Sequence, residues 1–284
     1  MNNADKQYKE LLTKILTEGV LEQNRTGVAA KRIAGFMFEH DMSEGFPLLT
    51  QRKLPYKSTK VELEFFIKGL RSKKWLQERG CKYWNQWCNP KKVPYGNDDE
   101  TKAKMAAEDD LGLVYGTQWR DFCDPNGHES GVDQLKNLVD TLRKNPQDRR
   151  CLVSAWNPLA IPFAALPSCH YNYQVTIVDG KLNLLWNQRS VDVCCNQSIT
   201  TYALLLHLLA KELDVKEGML IGFLADCHIY EPHLEGAREI LTRKSYPLPT
   251  VKTDKFTTIF EWCHEDTELI GYQSGPPIKF EVAV

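Results

Sequence analysis

The chain has 284 residues with 42% hydrophobic side chains, enough to bury a sizeable core, and its formal net charge is -1. Such a balanced charge gives no overall attraction to nucleic acid or to an anionic membrane. No stretch approaches eighteen apolar residues, and the first residues lack the apolar core of a signal peptide, so we expect neither a membrane span nor export. The nine cysteines are an odd number without C-x-x-C pairs, which favours reduced thiols and a cytoplasmic location.

Hydrophobic periodicity predicts two helices and a strand in the first quarter of the chain. Apolar residues recur at helical spacing over residues 8–16, and Gly19 ends that helix. Residues 23–27 have the composition of a turn, and residues 33–38 follow as a strand. Residues 55–69 predict a second helix, because most of their side chains are apolar.

Glu62 stands inside this second helix, between two apolar residues. A carboxylate in apolar surroundings costs free energy unless it is paired. Its position is therefore either at the surface or in a functional site, and periodicity alone leaves both open. Glu64 lies two positions further on, so it would face another side of the helix.

The composition changes between residues 89 and 110, where charged residues, proline and glycine replace the apolar pattern. Two largely acidic runs, residues 97–100 and 108–110, fall inside this segment. Because such a stretch buries little apolar surface, we assign no regular structure to it. We treat it as a variable polar insertion within one domain that spans residues 1–284.

Two further helices and a strand are predicted in the second half of the chain. Residues 132–142 are amphipathic at helical spacing, and residues 198–213 carry a stripe of leucines with Ser198 as the expected N-cap. Gly218 would close the turn after the longer helix, and residues 220–224 would form a strand.

A predicted hairpin brings two chemically significant residues together. Residues 173–178 and 181–186 are rich in β-forming side chains and are separated by Asp179-Gly180, which is typical of a hairpin turn. A hairpin returns the chain to its starting end, so Cys169 and Arg189 would lie side by side although twenty positions apart. An arginine beside a cysteine favours the thiolate, which is the nucleophilic form.

The adjacent Cys169 and His170 alone would be typical of a small buried side chain beside a hydrogen-bonded histidine. The sequence around them, however, resembles the thymidylate synthase family. The matching stretches are Pro167-Ser168-Cys169-His170, Gln188-Arg189-Ser190 with Asp192, residues 226–230, Asn24-Arg25-Thr26-Gly27, residues 45–49, residues 114–120, Arg149-Arg150 with residues 154–157, and Val282-Ala283-Val284. They occur in the family's order from about residue 5 to the end, so the resemblance covers nearly the whole chain.

The resemblance implies an α/β (α+β) fold of three layers, in which a large mixed sheet forms the interface of a homodimer. It also implies transfer of a one-carbon unit from 5,10-methylenetetrahydrofolate to C5 of a pyrimidine deoxynucleotide. Cys169 would form a covalent adduct with the nucleotide, and Glu62, with Tyr115 and ordered water, would move the proton at C5 and assist the loss of tetrahydrofolate. The residues that the resemblance marks as catalytic are Cys169, Glu62, Tyr115, Arg189, His170 and Asp192.

Binding roles are implied for a second set of residues. Arg25, Arg189 and Ser190 would hold the substrate phosphate together with Arg149 and Arg150 of the partner subunit, since arginine binds phosphate bidentately. The further residues implied for the nucleotide are Gln188, Asn196, Ser198, His228 and Tyr230. Those implied for the folate are Trp84, Trp87, Asp192 and Val284, the last in an apolar tail that would close over the site as a lid.

The loop after Asp192 departs from the family pattern. Ordinary members continue with a longer loop containing Leu-Gly-x-Pro-Phe-Asn, whose asparagine reads the pyrimidine edge. Here residues 193–198 are Val-Cys-Cys-Asn-Gln-Ser, and the loop is two residues shorter. Ser198 takes the asparagine's place, although Asn196 or Gln197 could supply an amide, and the aromatic ring that packs on the folate is absent.

This departure favours the branch of the family that adds water to the exocyclic methylene intermediate instead of reducing it. No aspartate, which marks the cytosine-specific members, lies between Val193 and Tyr202, and His170 is retained. We therefore favour a dUMP hydroxymethylase, with ordinary thymidylate synthesis from dUMP as the alternative and dCMP hydroxymethylation third. If the enzyme is phage-encoded, it would work in the host cytoplasm.

Two interpretations of other kinds were weighed. A catalytically silent homologue would bind nucleic acid through Arg149 and Arg150, but the catalytic set would then have no reason to be together, so we expect no obligatory nucleic acid. Zinc would draw on Cys227, His228 and His233. No second cysteine or histidine pair at zinc spacing accompanies them, so we expect no metal.

Overall fold

Helices and strands are mixed along the structure, a computed structural model that describes residues 1–24, 26–123, 125 and 131–281. Its strands are β1 (Val20–Glu22), β2 (Ala30–Ile33), β3 (Phe36–Asp41), β4 (Leu152–Ser154), β5 (His170–Val178), β6 (Lys181–Asp192), β7 (Lys216–Tyr230), β8 (Thr250–Thr253) and β9 (Thr267–Ile270). Its helices are α1 (Asn3–Glu18), α2 (Tyr56–Ile67), α3 (Lys73–Glu78), α4 (Asp99–Ala107), α5 (Tyr115–Arg120), α6 (Gln134–Lys144), α7 (Ser198–Glu212) and α8 (Leu234–Thr242). None of these described helices is long and apolar enough to span a bilayer.

A seven-stranded mixed sheet is the centre of the described chain. Its strand order is β1-β2-β7-β6-β5-β4, and β3 pairs with β7 next to β2. The strands β6 and β7 run parallel, and the helix α7 that connects them is buried along nearly its whole length. The predicted α/β fold with a large mixed sheet is confirmed.

The hairpin that joins Cys169 to Arg189 forms as predicted. β5 and β6 pair antiparallel, and Asp179-Gly180 has φ values of 50° and 69°, as the two central residues of a type I′ turn require. At the open end, the backbone N–H of Arg189 donates to the carbonyl of Cys169 at 2.8 Å. Tyr173 and Trp186 pair across the hairpin and are fully buried, which fixes the register against the core.

The parallel pairing of β6 with β7 places two further sets of predicted site residues together. In this register Ser190 lies opposite Asp226, and Asp192 lies opposite His228. The residues come from positions more than thirty apart in the sequence, joined by the α7 crossover. The sheet therefore brings the C-terminal ends of β6 and β7 side by side, and this end of the two strands is called the sheet edge below.

Two predicted elements differ from those observed around the sheet. The strand expected over residues 33–38 is divided, because Ile33 ends β2 and Phe36 begins β3, and both strands pair with β7. Gly218 lies inside β7 rather than in a turn. A Cβ there would come within 2.5 Å of Asn183 Oδ1, so this glycine permits a close approach between neighbouring strands.

The start of α7 also differs from the prediction. Gln197 is the N-cap and Ser198 is the first helical residue, without a capping hydrogen bond from its side chain. The hydroxyl of Ser198 instead accepts a hydrogen bond from Asn196 Nδ2 at 2.7 Å. The serine hydroxyl therefore forms a hydrogen bond within the short loop rather than a cap on the helix.

Residues 89–110 contain regular structure that the composition did not predict. Asp98 accepts a hydrogen bond from the backbone N–H of Thr101 at 2.8 Å and so caps α4, whose Met105 is buried. Within the same segment, Tyr95 Oη donates to the carbonyl of Ala165 at 2.5 Å. The segment thus packs against the chain that leads to Cys169.

Candidate active site

Cys169 is half-buried at the mouth of the hairpin. Its backbone N–H donates to Tyr115 Oη at 2.8 Å, and Arg189 Nη2 lies 3.9 Å from its sulfur. The guanidinium of Arg189 is oriented by the two carbonyls that precede Cys169, at 2.8 and 3.0 Å, and by the ring of Trp156 at 5.6 Å. The predicted pairing of a cysteine with an arginine is therefore present, with positive charge beside the sulfur.

His170 and Tyr115 form a stacked aromatic wall behind the cysteine, with ring centroids 4.2 Å apart. His170 Nδ1 lies 2.8 Å from Tyr202 Oη. Burial lowers the pKa of His170 to about 3, and burial also raises the pKa of Tyr115 well above its usual value. Both side chains are therefore neutral at pH 7 and act there as hydrogen-bonding groups rather than as charges.

Glu62 is the group in this wall that titrates near neutral pH. It projects from α2, and its Oε1 accepts a hydrogen bond from Trp84 Nε1 at 2.7 Å. Burial raises the pKa of Glu62 to about 7, although the hydrogen bond from Trp84 opposes the rise. The ring of Trp84 lies 5.9 Å from that of Tyr115, so the carboxyl belongs to the same site. A group with this pKa can both accept and donate a proton at pH 7.

A small amide and hydroxyl network lies where β6 meets α7. Gln188 is buried, and its Nε2 donates to the carbonyl of Ser190 at 3.0 Å and to Asn196 Oδ1 at 3.4 Å. Asn196 in turn donates to the hydroxyl of Ser198 and accepts from its backbone N–H at 3.0 Å. Three of the residues implied for the nucleotide, two of which are candidates to read the pyrimidine edge, are thus together and are hydrogen-bonded to one another.

Asp192 and His228 meet at the neighbouring ends of β6 and β7. Asp192 Oδ1 accepts from the backbone N–H groups of Cys194 and Cys195 at 3.1 and 3.4 Å, and its side chain remains 18% exposed. His228 Nδ1 lies 3.2 Å from the carbonyl of Asp226, and its ring centroid is 5.2 Å from that of Tyr230. This edge brings a carboxylate, an imidazole and a phenol together.

Arg52 and His233 join this edge without having been predicted to bind substrate or cofactor. Arg52 is 7% exposed and donates to the carbonyl of Cys194, while His233 Nδ1 lies 3.9 Å from Asp192 Oδ1. Phe280 of the C-terminal tail packs on both, 4.9 Å from the guanidinium carbon and 5.1 Å from the imidazole centroid. Arg52 stands in a polar run that is typical of a surface, so no local signal could have found it.

Several predicted site residues lie away from this cluster or outside the described chain. The ring of Trp87 faces Tyr95 at 6.2 Å, whereas Trp84 is the tryptophan that contacts Glu62. Arg149 and Arg150 are exposed between α6 and β4, and Arg150 Nε donates to Asp148 at 3.0 Å. Arg25 and the terminal Val284 lie outside the described residues, so their predicted roles remain predictions.

Two clusters in the described chain have side chains that can bind metal ions. One comprises Asp192, Cys194 and His233, and the other Glu64, His264 and Glu265. Burial raises the pKa of the Cys194 thiol well above its usual value, so the first cluster lacks a thiolate at neutral pH. In the second, Glu64 already accepts hydrogen bonds from Lys68 and His264. Hydrogen bonding explains the second cluster, and the absence of a metal requirement stays a prediction.

Comparison with known proteins identifies the family. Residues 6–284 match the thymidylate synthase family. The chain is also 39% identical over 292 aligned positions to a protein from Mycoplasma pneumoniae (strain ATCC 29342 / M129 / Subtype 1) named thymidylate synthase, covering 98% of this chain and 99% of that protein. Both matches include the hairpin, the glutamate helix and the sheet edge described above. The chain therefore belongs to the thymidylate synthase family of one-carbon transferases.

Proposed function

We propose that this enzyme converts dUMP to dTMP, with 5,10-methylenetetrahydrofolate as the second substrate and dihydrofolate as the other product. The observation that carries the proposal is the grouping of Cys169, Arg189 and Glu62 in a chain whose relative over its whole length is named thymidylate synthase. The preference for hydroxymethylation that the short loop suggested gains no support from that relative. Ordinary thymidylate synthesis is therefore the first candidate.

Cys169 supplies the covalent step of the proposed reaction. Its sulfur adds to C6 of the pyrimidine, and the electron pair of the C5–C6 double bond moves onto C5 and the adjacent carbonyl. Arg189, 3.9 Å from the sulfur, stabilises the thiolate before the addition. The hydrogen bond from the Cys169 amide to Tyr115 holds the nucleophile against the aromatic wall, so attack comes from a fixed direction.

Glu62 carries the proton in this mechanism. The C5 proton must leave after the one-carbon unit has been attached, and a carboxyl with a pKa of about 7 takes it without a large thermodynamic cost. His170 and Tyr115 are poor proton acceptors, because burial lowers the pKa of His170 to about 3 and raises the pKa of Tyr115 well above its usual value, which keeps its hydroxyl protonated. The indole N–H of Trp84 stabilises the ionised form of Glu62 and so keeps it available as a base.

The residues at the sheet edge fit a folate. A carboxylate has about four acceptor positions, and Asp192 uses one oxygen for two backbone N–H groups, which leaves capacity for the N–H groups of a pterin. Trp84, which the resemblance implies for the folate, lies beside Glu62. When bound, the folate supplies the one-carbon unit and the hydride that turns the exocyclic methylene into a methyl group. The Phe280 tail would exclude water there, because it packs on Arg52 and His233.

Hydroxymethylation of dUMP is the second candidate, and the short loop after Asp192 favours it. Asn196 and Ser198 bond to each other, so neither offers the free carboxamide of an ordinary family member. The short loop also lacks the aromatic ring that packs on the folate, so the folate would be held less tightly. Hydride transfer would then be slower, because the donor must sit within reach of the methylene carbon. Water would then add to that carbon with Glu62 as base, and tetrahydrofolate would leave unoxidised.

Product analysis distinguishes the two candidates. The purified enzyme is incubated with dUMP and 5,10-methylenetetrahydrofolate. Dihydrofolate is followed by absorbance, and the mass of the nucleotide product is measured by mass spectrometry. Dihydrofolate formed in step with dTMP supports the proposal. A 5-hydroxymethyl product without dihydrofolate would overturn it in favour of the second candidate, and a parallel incubation with dCMP tests the base.

The proposed site also needs a second copy of the chain. The outer face of the sheet exposes apolar side chains, among them the cross-strand pair Met37 and Phe223 at 49% and 42% and Leu152 at 46%. An apolar face of this kind is suited to burial in a symmetric dimer. Arg149 and Arg150 precede Leu152 and are exposed, so in such a dimer they would reach the phosphate in the partner's site.

A further inference from the structure

Lys73 is the most deeply buried ammonium group of the described chain that the proposed mechanism does not use. Its side chain is 1% exposed, and it is the first residue of α3. Burial lowers the pKa of Lys73 below its usual value, although neighbouring groups that include Asp109 oppose this. The positive end of a helix dipole disfavours a cation at this position as well. The surroundings must therefore compensate the ammonium specifically.

Backbone carbonyls from two separate segments provide this compensation. Lys73 Nζ donates to the carbonyl of Met105 at 2.9 Å, to that of Trp87 at 3.0 Å, and to that of Asn85 at 3.5 Å. Met105 belongs to the last turn of α4, where carbonyls lack partners within the helix and the dipole is negative. Lys73 thus caps the C-terminus of α4 and at the same time holds the turn that follows Trp84.

Asp109 completes the connection between the two helices from the opposite side. It follows α4, and its carboxylate accepts from the backbone N–H of Lys74 at 2.7 Å and from the hydroxyl of Ser72 at 2.9 Å. The backbone N–H of Lys73 also donates to the carbonyl of Asp109 at 2.8 Å. An acid therefore caps the start of α3, while a lysine of α3 caps the end of α4.

The turn that Lys73 holds contains Trp84, which donates a hydrogen bond to Glu62. The backbone N–H of Trp87 donates to the carbonyl of Trp84 at 3.0 Å, so residues 84–87 form one turn. Lys73 binds the carbonyls of Asn85 and Trp87 within that turn, and Trp84 Nε1 donates to Glu62 Oε1 at 2.7 Å. A displacement of the turn would move the indole N–H away from the carboxylate.

We infer that Lys73 is a positioning residue for Glu62, because its buried ammonium fixes the 84–87 turn and the end of α4 so that Trp84 stays hydrogen-bonded to the carboxylate. Polar residues 89–110 then support the acid/base group through α4. The inference rests on the proposed role of Glu62 in turnover. It assigns a function to a buried charge that would otherwise only cost stability.

The pH dependence of turnover reports this contact. The titratable groups that face Glu62 are Cys81 and Tyr83 of the loop after α3 and Tyr115 of α5. Burial raises the pKa of Cys81 to about 12 and raises the pKa of each tyrosine above its usual value, so all three stay neutral near pH 7. The hydrogen bond from Trp84 lowers the pKa of Glu62, so its loss must raise that pKa.

The experiment compares Lys73→Met with Lys74→Met, its exposed neighbour, and with Trp84→Phe, which removes the indole donor directly. The kcat/KM of the full-length enzyme is measured against pH. We expect the limb due to Glu62 to move to higher pH by about half to one unit in Lys73→Met and in Trp84→Phe, and to stay in place in Lys74→Met. The double variant Lys73→Met/Trp84→Phe should move it no further than Trp84→Phe alone, because both changes remove one contact.

An unmoved limb in folded Lys73→Met, or additive shifts in the double variant, would overturn the inference. If Lys73→Met does not fold, Asp109→Asn decides, because it loosens the same connection from the α4 side and should shift the limb in the same direction by less. Amide hydrogen exchange over residues 84–88 needs no turnover and should rise in the loosened variant. Absence of nucleotide turnover in the wild type would overturn the proposed function alone, whereas unchanged exchange would overturn the inference alone.

Discussion

The proposed nucleophile and the proposed acid/base group of this site are held in place in different ways. Cys169 and Arg189 are the two ends of one hairpin, and a two-residue turn with φ values of 50° and 69° sets their pairing. Glu62 instead depends on Trp84 and, through Lys73, on the end of α4. The first arrangement is local in sequence, while the second joins segments that are far apart. We therefore expect side-chain substitutions at the hairpin to leave the fold intact. Substitutions at residues distant from Glu62 in sequence should change the pKa of its carboxyl.

Replacement of the nucleophile should give the largest effect. Cys169→Ser should lower turnover by about 10⁴-fold or more, because a serine hydroxyl is far less ionised than a thiol. Nucleotide binding should be kept, since the hairpin and Arg189 do not depend on the sulfur. Turnover measured by product mass and dUMP affinity measured by calorimetry test this prediction.

Cys263→Ser is the matched control for this substitution. Cys263 is also half-buried, but it lies beside Lys68, away from the hairpin, and should retain wild-type turnover. Near-wild-type activity of Cys169→Ser would remove this cysteine from the mechanism. Loss of dUMP binding together with turnover would show instead that the hairpin is not independent of its side chains.

The difference between the two regions also explains what could be predicted from sequence. The Asp179-Gly180 turn is a local signal, so the juxtaposition of Cys169 with Arg189 followed from spacing alone. The role of Glu62 came only from resemblance, because its surroundings are assembled by contacts between distant segments. Lys73 gave no signal, since a lysine at the start of a helix is typical of the surface. The exact start of α7 was missed because Ser198 bonds to Asn196 rather than to the helix.

Removal of the Glu62 carboxyl should give the next largest effect. Glu62→Gln should lower turnover by about 10²- to 10⁴-fold, the usual contribution of a general acid/base group. The limb of the pH profile near pH 7 should disappear with it, because burial sets the pKa of this carboxyl at about 7. A rate profile from pH 5 to 9 with dUMP saturating tests both statements.

Stability provides a second readout, with Glu64→Gln as the contrast on the same helix. The raised pKa of Glu62 means that the folded state keeps a proton that the unfolded state loses above pH 4.5, so its carboxyl destabilises the fold as pH rises toward 7. Burial alone would raise the pKa of Glu64, but hydrogen bonds from Lys68 and His264 hold it below its usual value, so its carboxylate stabilises the fold at neutral pH. As pH rises from 5 to 8, the melting temperature of Glu62→Gln should therefore rise relative to that of wild type. Glu64→Gln should melt below wild type over this whole range, and its turnover should keep the pH limb due to Glu62.

The smallest expected effect tests whether the local hairpin depends on a second chain. Arg149 and Arg150 flank β4, the edge strand that pairs with β5, and the side chain of Gln174 in β5 donates to the carbonyl of Arg149 at 3.3 Å. In the proposed dimer these exposed arginines serve the partner's phosphate site, so Arg149→Ala should weaken turnover by lowering affinity for dUMP.

Mixing the inactive Cys169→Ser subunit with the weakened Arg149→Ala subunit then separates donation within a chain from donation across the interface. In a hybrid of Cys169→Ser with Arg149→Ala, one site has both an intact cysteine and an intact donated arginine. Random exchange at equal amounts makes about half of the dimers hybrid with one intact site of two, so the hybrids should add about a quarter of wild-type activity to the residual activity of the Arg149→Ala dimers. Differently tagged subunits show whether exchange has occurred. Exchange without recovery would show that the arginines serve the active site of their own chain. The residues around Cys169 would then all come from one chain.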